Sequence, residues 1–327
     1  MANEDFIAMP IEQFMQSNIA YCDIYLKLTD KYLLLFRKDD LYPSERLTKY
    51  KNKGAVSLYV KNQDRNVFMD TFIRTSNAVQ GIQSAAFSEK IRSSSKKLHD
   101  IYDITKNYGI TDTVIYETNE IISSNIFVLE KTDKAIYDIL NEILNTSNRF
   151  FEKCLLTSYL AIGIAYKMDW KSPATIQKLG FAAILQDIGL SKQSITKVEN
   201  GGMESLSKEE TKDYIEHPLS GANIVSPSQT LPPNIADLIL YHHEKPDGTG
   251  FPRAINWKHT SQINAVLNIS VEMAHQIQNC WPRMDKLITV IKMMKSKYNY
   301  GPYKAPLIGL LELLKGLKIN NIELLNF

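Results

Sequence analysis

At 327 residues the chain is long enough for two domains, and its 44% apolar and 23% charged residues are ordinary for a soluble globular protein. A net charge of +2 excludes a dedicated DNA, RNA or polyanion binder, which carries a far larger basic excess. Three scattered cysteines, Cys22, Cys154 and Cys280, point to reduced thiols and a cytoplasmic setting rather than a disulfide framework. The start, Met-Ala-Asn-Glu-Asp, lacks the basic head and apolar core of a secretory signal. No run of ~18 apolar residues occurs, so no membrane span is expected. The nearest approach, 155–166, is short and carries Thr157 and Ser158, and reads as a core helix.

Residues 1 to about 66 have strand chemistry, in a small α/β module. Residues 23–28 alternate polar and apolar, 29–31 can turn the chain, and 32–36 can return it as a buried strand. Ser44 is placed to cap a short helix that Gly54 ends, and 56–60 offers another strand. The module holds no phosphate-binding glycine loop and no catalytic cluster, which suits a regulatory, sensory or packing role. Helical spacing follows through Phe72, Val79, Ile82 and Phe87. The Ser-Ser-Ser-Lys-Lys run at 93–97 reads as an exposed face, and Tyr108-Gly109 with Asp112 as a break. One long apolar period then runs from 133 to 166, and the domain boundary is placed at its start.

The expected division is therefore a regulatory region over 1–130 and an all-α domain over 131–327. From Pro173 onward the chain reads as helix after helix: 175–187, then a start at Ser207 with Glu210 in a capping box. Pro218 is expected to open a further helix just after His217. Others follow at 263–277, 287–294 and 307–317, and no strand alternation appears, so the fold is mainly α with a helical bundle at its C-terminal side.

Asp187, His217, His242, His243 and Glu272 each stand at a helix end or on an apolar helix. There an unpaired charge or imidazole costs several kcal/mol, roughly. A shared metal would satisfy them all, and imidazole with carboxylate suits iron, manganese, zinc or nickel. After the histidine pair comes Glu-Lys-Pro-Asp-Gly-Thr-Gly-Phe-Pro, a stiff loop whose glycines let backbone approach a ligand.

Leu-Gln-Asp-Ile-Gly (185–189), Glu-His-Pro-Leu-Ser-Gly (216–221), the His-His-Glu block with its glycine loop (242–252) and the helix around Glu272 together resemble the HD-GYP family. That is the cyclic di-GMP phosphodiesterase branch of the HD hydrolases. The resemblance covers about 150–300. It implies an HD-type helical bundle, two divalent ions with iron first and manganese, nickel or zinc as alternatives, and hydrolysis of cyclic di-GMP by a metal-bridged hydroxide. Asp187 would bridge the ions, His217, His242 and His243 would fill one, and Glu272 with Gln186 or His275 the other. Phe251 stands at the signature tyrosine, and Gly248, Gly250, Lys245 and Arg253, with Lys192, would meet the ligand and its second phosphate. Diguanylate cyclase (GGDEF) domains are the partner implied for the loop.

The chain also departs from the family. Gln186-Asp187 replaces His-Asp, Leu190 replaces a lysine, Glu272-x-x-His275 replaces Asp-x-x-Asp, and Phe251 lacks the hydroxyl. No histidine stands near Lys153 or Cys154, which favours two ions over three. Gln186, Leu190 and Phe251 support a second reading, an impaired domain acting as a cyclic di-GMP sensor or scaffold. A generic nucleotide monophosphohydrolase ranks third, because of the glycine loop.

Overall fold

A computed structural model describes residues 6–15, 19–29, 31–64, 85–131, 136–145, 148–201 and 203–317. The periodicity through Phe72, Val79 and Ile82 lies outside them. Four strands form one antiparallel sheet in the order β1-β4-β2-β3: β1 (Phe6–Pro10), β2 (Ile24–Leu28), β3 (Lys31–Phe36) and β4 (Ser57–Lys61). Two short helices, α1 (Ile11–Met15) and α2 (Ser44–Asn52), accompany it. Its small core gathers Ile7, Met9, Ile11, Phe14, Ile24, Phe36, Leu47, Leu58 and Val60.

Two local readings of this module are corrected. β3 is the sheet's outer strand rather than a buried one, and Leu33 is 50% exposed. An edge strand has a neighbour on one side only, so an apolar run there need not be covered. Ser44 is the first helical residue rather than the cap; Pro43 takes the cap position and supplies no side-chain acceptor. Gly54 does end the turn after α2, at φ 90°.

The helical part begins with α3 (Ala85–Tyr108) and α4 (Asp112–Lys131), separated at Gly109 with φ 75°. Within the 93–97 run Ser94 turns inward and is buried. The expected long helix from 133 is broken into α5 (Ile136–Leu144) and α6 (Arg149–Lys167). Asn148 starts α6 by accepting a hydrogen bond from the Phe151 amide, a local cap that hydrophobic spacing cannot reveal.

The bundle continues with α7 (Pro173–Leu185), α8 (Lys192–Gly201), α9 (Lys208–Val225), α10 (Ile235–Leu240), α11 (Gln262–Cys280), α12 (Met284–Tyr298) and α13 (Lys304–Leu314). α6 is the central helix, packed against α7, α11 and α13. Its residues from Leu155 to Ala165 are all buried, which is why this apolar run is a core helix. Among the described residues no helix is long and apolar enough to cross a membrane. The Ser207 capping box forms: the Ser207 hydroxyl accepts from the Glu210 amide, and the Glu210 carboxylate accepts from the Ser207 amide. Pro218, expected to open a helix, instead lies inside α9, and the reason becomes visible at the neighbouring histidine.

Candidate metal centre

The α7 end and α9 approach through two glycines. Gly189 follows Asp187 after one residue, and a Cβ on it would run into the His217 carbonyl oxygen and the Gly221 amide. Gly221 lies one turn beyond His217 on the same helix, against Ile239 and Ile188. Asp-Ile-Gly and His-Pro-x-x-Gly are thus two halves of one backbone crossing, and the crossing brings the aspartate to the histidine.

Pro218 then fixes the ring. A proline has no N–H, so the helix bond it would have made to the carbonyl four residues back is missing. That carbonyl belongs to Tyr214, and it accepts a hydrogen bond from His217 Nδ1 instead. His242 is held in the same manner: its Nδ1 donates at 2.6 Å to the carbonyl of Ile239, in the last turn of α10 where carbonyls are free. Carbonyl oxygens only accept, so both Nδ1 atoms carry a proton, and in the neutral rings that bind metal both Nε2 atoms present lone pairs.

Those lone pairs converge. His217 Nε2 and His242 Nε2 are 3.2 Å apart, and Asp187 Oδ1 lies 3.2 Å from the first and 3.6 Å from the second. His243 completes the group; the ligand atoms of all four residues lie within 4.8 Å of one another. His243 Nε2 is buried without a hydrogen bond, and neither Asp187 oxygen receives an aligned one although the residue is fully buried. His217 Nε2, His242 Nε2 and Asp187 Oδ1 face one another as acceptors, and such a group repels itself unless a cation sits among them. The donor set therefore fits a divalent metal ion, with carboxylate and imidazole nitrogen as ligand types.

The electrostatics agree. Burial alone would raise the Asp187 carboxyl, but the ammonium of Lys153 beside it outweighs that and holds the group well below the usual carboxylate range. Burial pushes His243 well below the ordinary imidazole value, helped by its histidine neighbours, and lowers His217 against the pull of Asp187. Neutral imidazoles are the form that binds metal.

Lys153 on α6 makes an ion pair with Asp187 Oδ2 at 2.7 Å, off the line of an aligned hydrogen bond, with its side chain 14% exposed. Burial would lower its pKa and Asp187 reverses that, so it stays charged.

The glycine loop lies against this cluster. The Phe251 ring stacks on His243, with centroids 4.4 Å apart and planes 25° from parallel. A Cβ on Gly250 would clash with the Lys245 amide, Glu244 Cα and the His243 carbonyl. Gly248 has φ 76°. Asp247 Oδ1 accepts from the Thr249 amide and hydroxyl, closing the loop tip. Lys245 is half-buried and Arg253 is exposed.

Four of the expected ligands, Asp187, His217, His242 and His243, are therefore brought together. Glu272 and His275 are outside that group: Glu272 accepts from Gln276 at 3.0 Å, and His275 contacts the Asn279 amide at 3.1 Å. Gln186 is fully buried with neither amide atom hydrogen-bonded.

Two contributors escaped the sequence reading. One is Glu244, whose buried carboxylate accepts from the amides of Arg253 at 2.7 Å and Ile255 at 3.0 Å and so pins the far end of the loop. Its place directly after two histidines was the available signal. The other is Lys153, a cation between Phe150-Phe151 and the buried run that starts at Cys154, which could have been read as a buried counter-charge.

No curated protein matches the chain. The solved structure of Bd1817, a HDG"Y"P protein from Bdellovibrio bacteriovorus, shares the fold with a TM-score of 0.55 at 18% identity, over 95% of this chain and 100% of that one. Residues 127–299 match the family described as HD domain. They contain the whole backbone crossing, the four converging ligands and the loop, and the chain belongs to the HD domain family.

Proposed function

We propose that the protein is a metal-dependent phosphodiesterase of the HD-GYP branch and that its substrate is cyclic di-GMP. The carrying observation is the convergence of Asp187 with three imidazoles, two with their Nδ1 protons committed to backbone carbonyls, directly beside the glycine loop. Metal-dependent hydrolysis is the chemistry of this family; the cyclic dinucleotide is the reading the loop adds. Iron is the ion assigned first, and three free, buried cysteines suit the reducing cytoplasm.

An ion bound by these residues supplies a Lewis acid for a phosphoryl oxygen and lowers the pKa of a water toward neutrality. The chain supplies the rest. Tyr214 and Ile239 carbonyls orient the imidazoles, and Asp187 contributes the negative charge that draws the ion. Phe251 covers one face of His243 and keeps bulk water from it. Lys245 and Arg253 stand along the loop where the second phosphate of a cyclic dinucleotide would lie, Arg253 with the planar fork that suits phosphate. Gly250 lets the loop backbone close over His243.

The test is incubation of iron- or manganese-loaded protein with cyclic di-GMP, with separation of pGpG and GMP. Expected is product formation that chelation abolishes. Metal-loaded protein that cleaves a nucleoside monophosphate or a generic diester but leaves cyclic di-GMP intact would refute the substrate and keep the hydrolase.

A further inference from the structure

Asp187 has two carboxylate oxygens, and they face different cations. Oδ1 looks toward His217 and His242, where the metal ligands converge. Oδ2 looks toward Lys153 Nζ, 2.7 Å away. A carboxylate that bridges two ions through both its oxygens gives one to each, at about 2 Å. Here the second oxygen already has its positive charge, delivered from the central helix α6. A protonated lysine has no lone pair to offer, so it cannot join as a ligand; it can only repel.

The remaining donors point the same way. Among the described residues the only group of three or more histidine, cysteine and acidic side chains able to share a metal is the Asp187 quartet. Of the groups expected to hold a second ion, Glu272 and His275 are engaged along their own helix with Gln276 and Asn279, which leaves only the buried amide of Gln186, a neutral and weaker ligand than a carboxylate.

We propose that Lys153 occupies the place of a second ion: the centre takes one divalent cation, and the ammonium is a fixed second charge built into the chain. This rests on the metal centre assigned above and changes its stoichiometry from the two ions that the HD-GYP resemblance implies. The ammonium balances the buried carboxylate when no metal is bound, so the empty site is not left with an uncompensated charge. It also lowers the site's affinity for metal, because it stands on the far oxygen of the ligand that attracts the ion.

The experiment uses the full chain, stripped with chelator, loaded with Mn(II), desalted and analysed for metal per protein and by electron paramagnetic resonance. Expected is one manganese per chain with the spectrum of an isolated ion. Two per chain with an exchange-coupled spectrum would overturn the proposal while leaving the metal centre standing; none would remove the centre itself and the proposal with it. Lys153→Gln keeps a hydrogen-bond donor and removes the charge. It is expected to bind Mn(II) at least about ten-fold more tightly and to show a larger rise in Tm on metal loading than the unaltered protein. Equal or weaker binding, with an equal rise, would show that Lys153 merely packs.

Discussion

The two regions of the molecule handle polar groups in opposite ways. Among the described residues of the four-stranded module no carboxylate, imidazole or ammonium is buried; the polar side-chain atoms inside it are the Ser57 hydroxyl, the Cys22 thiol and the Tyr25 and Tyr42 phenols, the last donating to the Phe14 carbonyl. The helical bundle fully or almost fully buries Asp187, His217, His242 and Glu244. Burying an ionisable group costs several kcal/mol, roughly, unless it is compensated. A chain that buries carboxylates and imidazoles repeatedly at one place, and at none of the described positions of its other region, shows where a ligand belongs. The buried Ser57 of the module donates to Asp112 at the start of α4, so it joins the two regions rather than forming a site.

The largest test of the contrast removes one ligand. His217→Ala should reduce metal affinity by at least about 100-fold, since losing an outer partner of a ligand already costs about 10–100-fold. Metal analysis after desalting reads it directly. Removing residues 1–66 should leave the metal-to-protein ratio of the remainder unchanged. Loss of metal on that deletion would show that the module closes or completes the site, and the contrast would fail.

Glycines give a second test, because each region uses them for a different reason. Gly189 lets two backbones touch, and Gly189→Ala should cost about 3 kcal/mol in denaturant unfolding, with metal lost as His217 is pushed away. Gly54 only provides a positive φ, with nothing within 4 Å of where a Cβ would stand. Gly54→Ala should cost about 1 kcal/mol and leave metal binding intact. Comparable effects on metal would contradict the separation of the regions.

Smaller again is Glu244→Gln. The amide keeps one acceptor for the Arg253 and Ile255 amides and loses the charge that strengthens both bonds. About 1–2 kcal/mol of stability should go, and substrate KM should rise more than kcat falls, because the loop holds the ligand and the metal ligands stay in place. A fall in metal content would mean that Glu244 supports the metal site rather than the loop.

What could be read in the sequence was what is local or carried by motif. The Ser207–Glu210 capping box is two side chains three residues apart, and it forms as expected. The quartet of candidate ligands was legible because each member stands in a short pattern with its own glycine or proline. The break at 145–148 was missed because apolar spacing runs straight across it, and a single Asn148 cap decides the matter. Pro218 was misplaced for an instructive reason: a proline inside a helix is normally costly. Here its missing donor frees the Tyr214 carbonyl for His217, a gain that only the three-dimensional site displays. Lys153 and Asp187 are far apart in sequence and on different helices, so no spacing rule links them.

The smallest expected effect lies at a charge that is not buried, and its pH dependence separates it from the centre. Glu210 is held at about 2, below the usual carboxylate value, chiefly by its bond from Lys197 and then by the Ser207 amide. A carboxyl whose pKa is depressed by folding contributes stability above its unfolded value, about 4.3, and loses that contribution as pH falls through the folded value. Glu210→Gln should therefore be slightly less stable than the unaltered protein at pH 7. The gap should narrow as pH falls below about 4.5 and close near 2, where both side chains are neutral. Chemical denaturation at a series of pH values would follow it, and added salt should shrink the gap at pH 7 because an exposed pair is screened. Metal content should not change at neutral pH. A gap that persisted at low pH, or a loss of metal at pH 7, would mean that this cap is coupled to the buried centre on the same helix, α9.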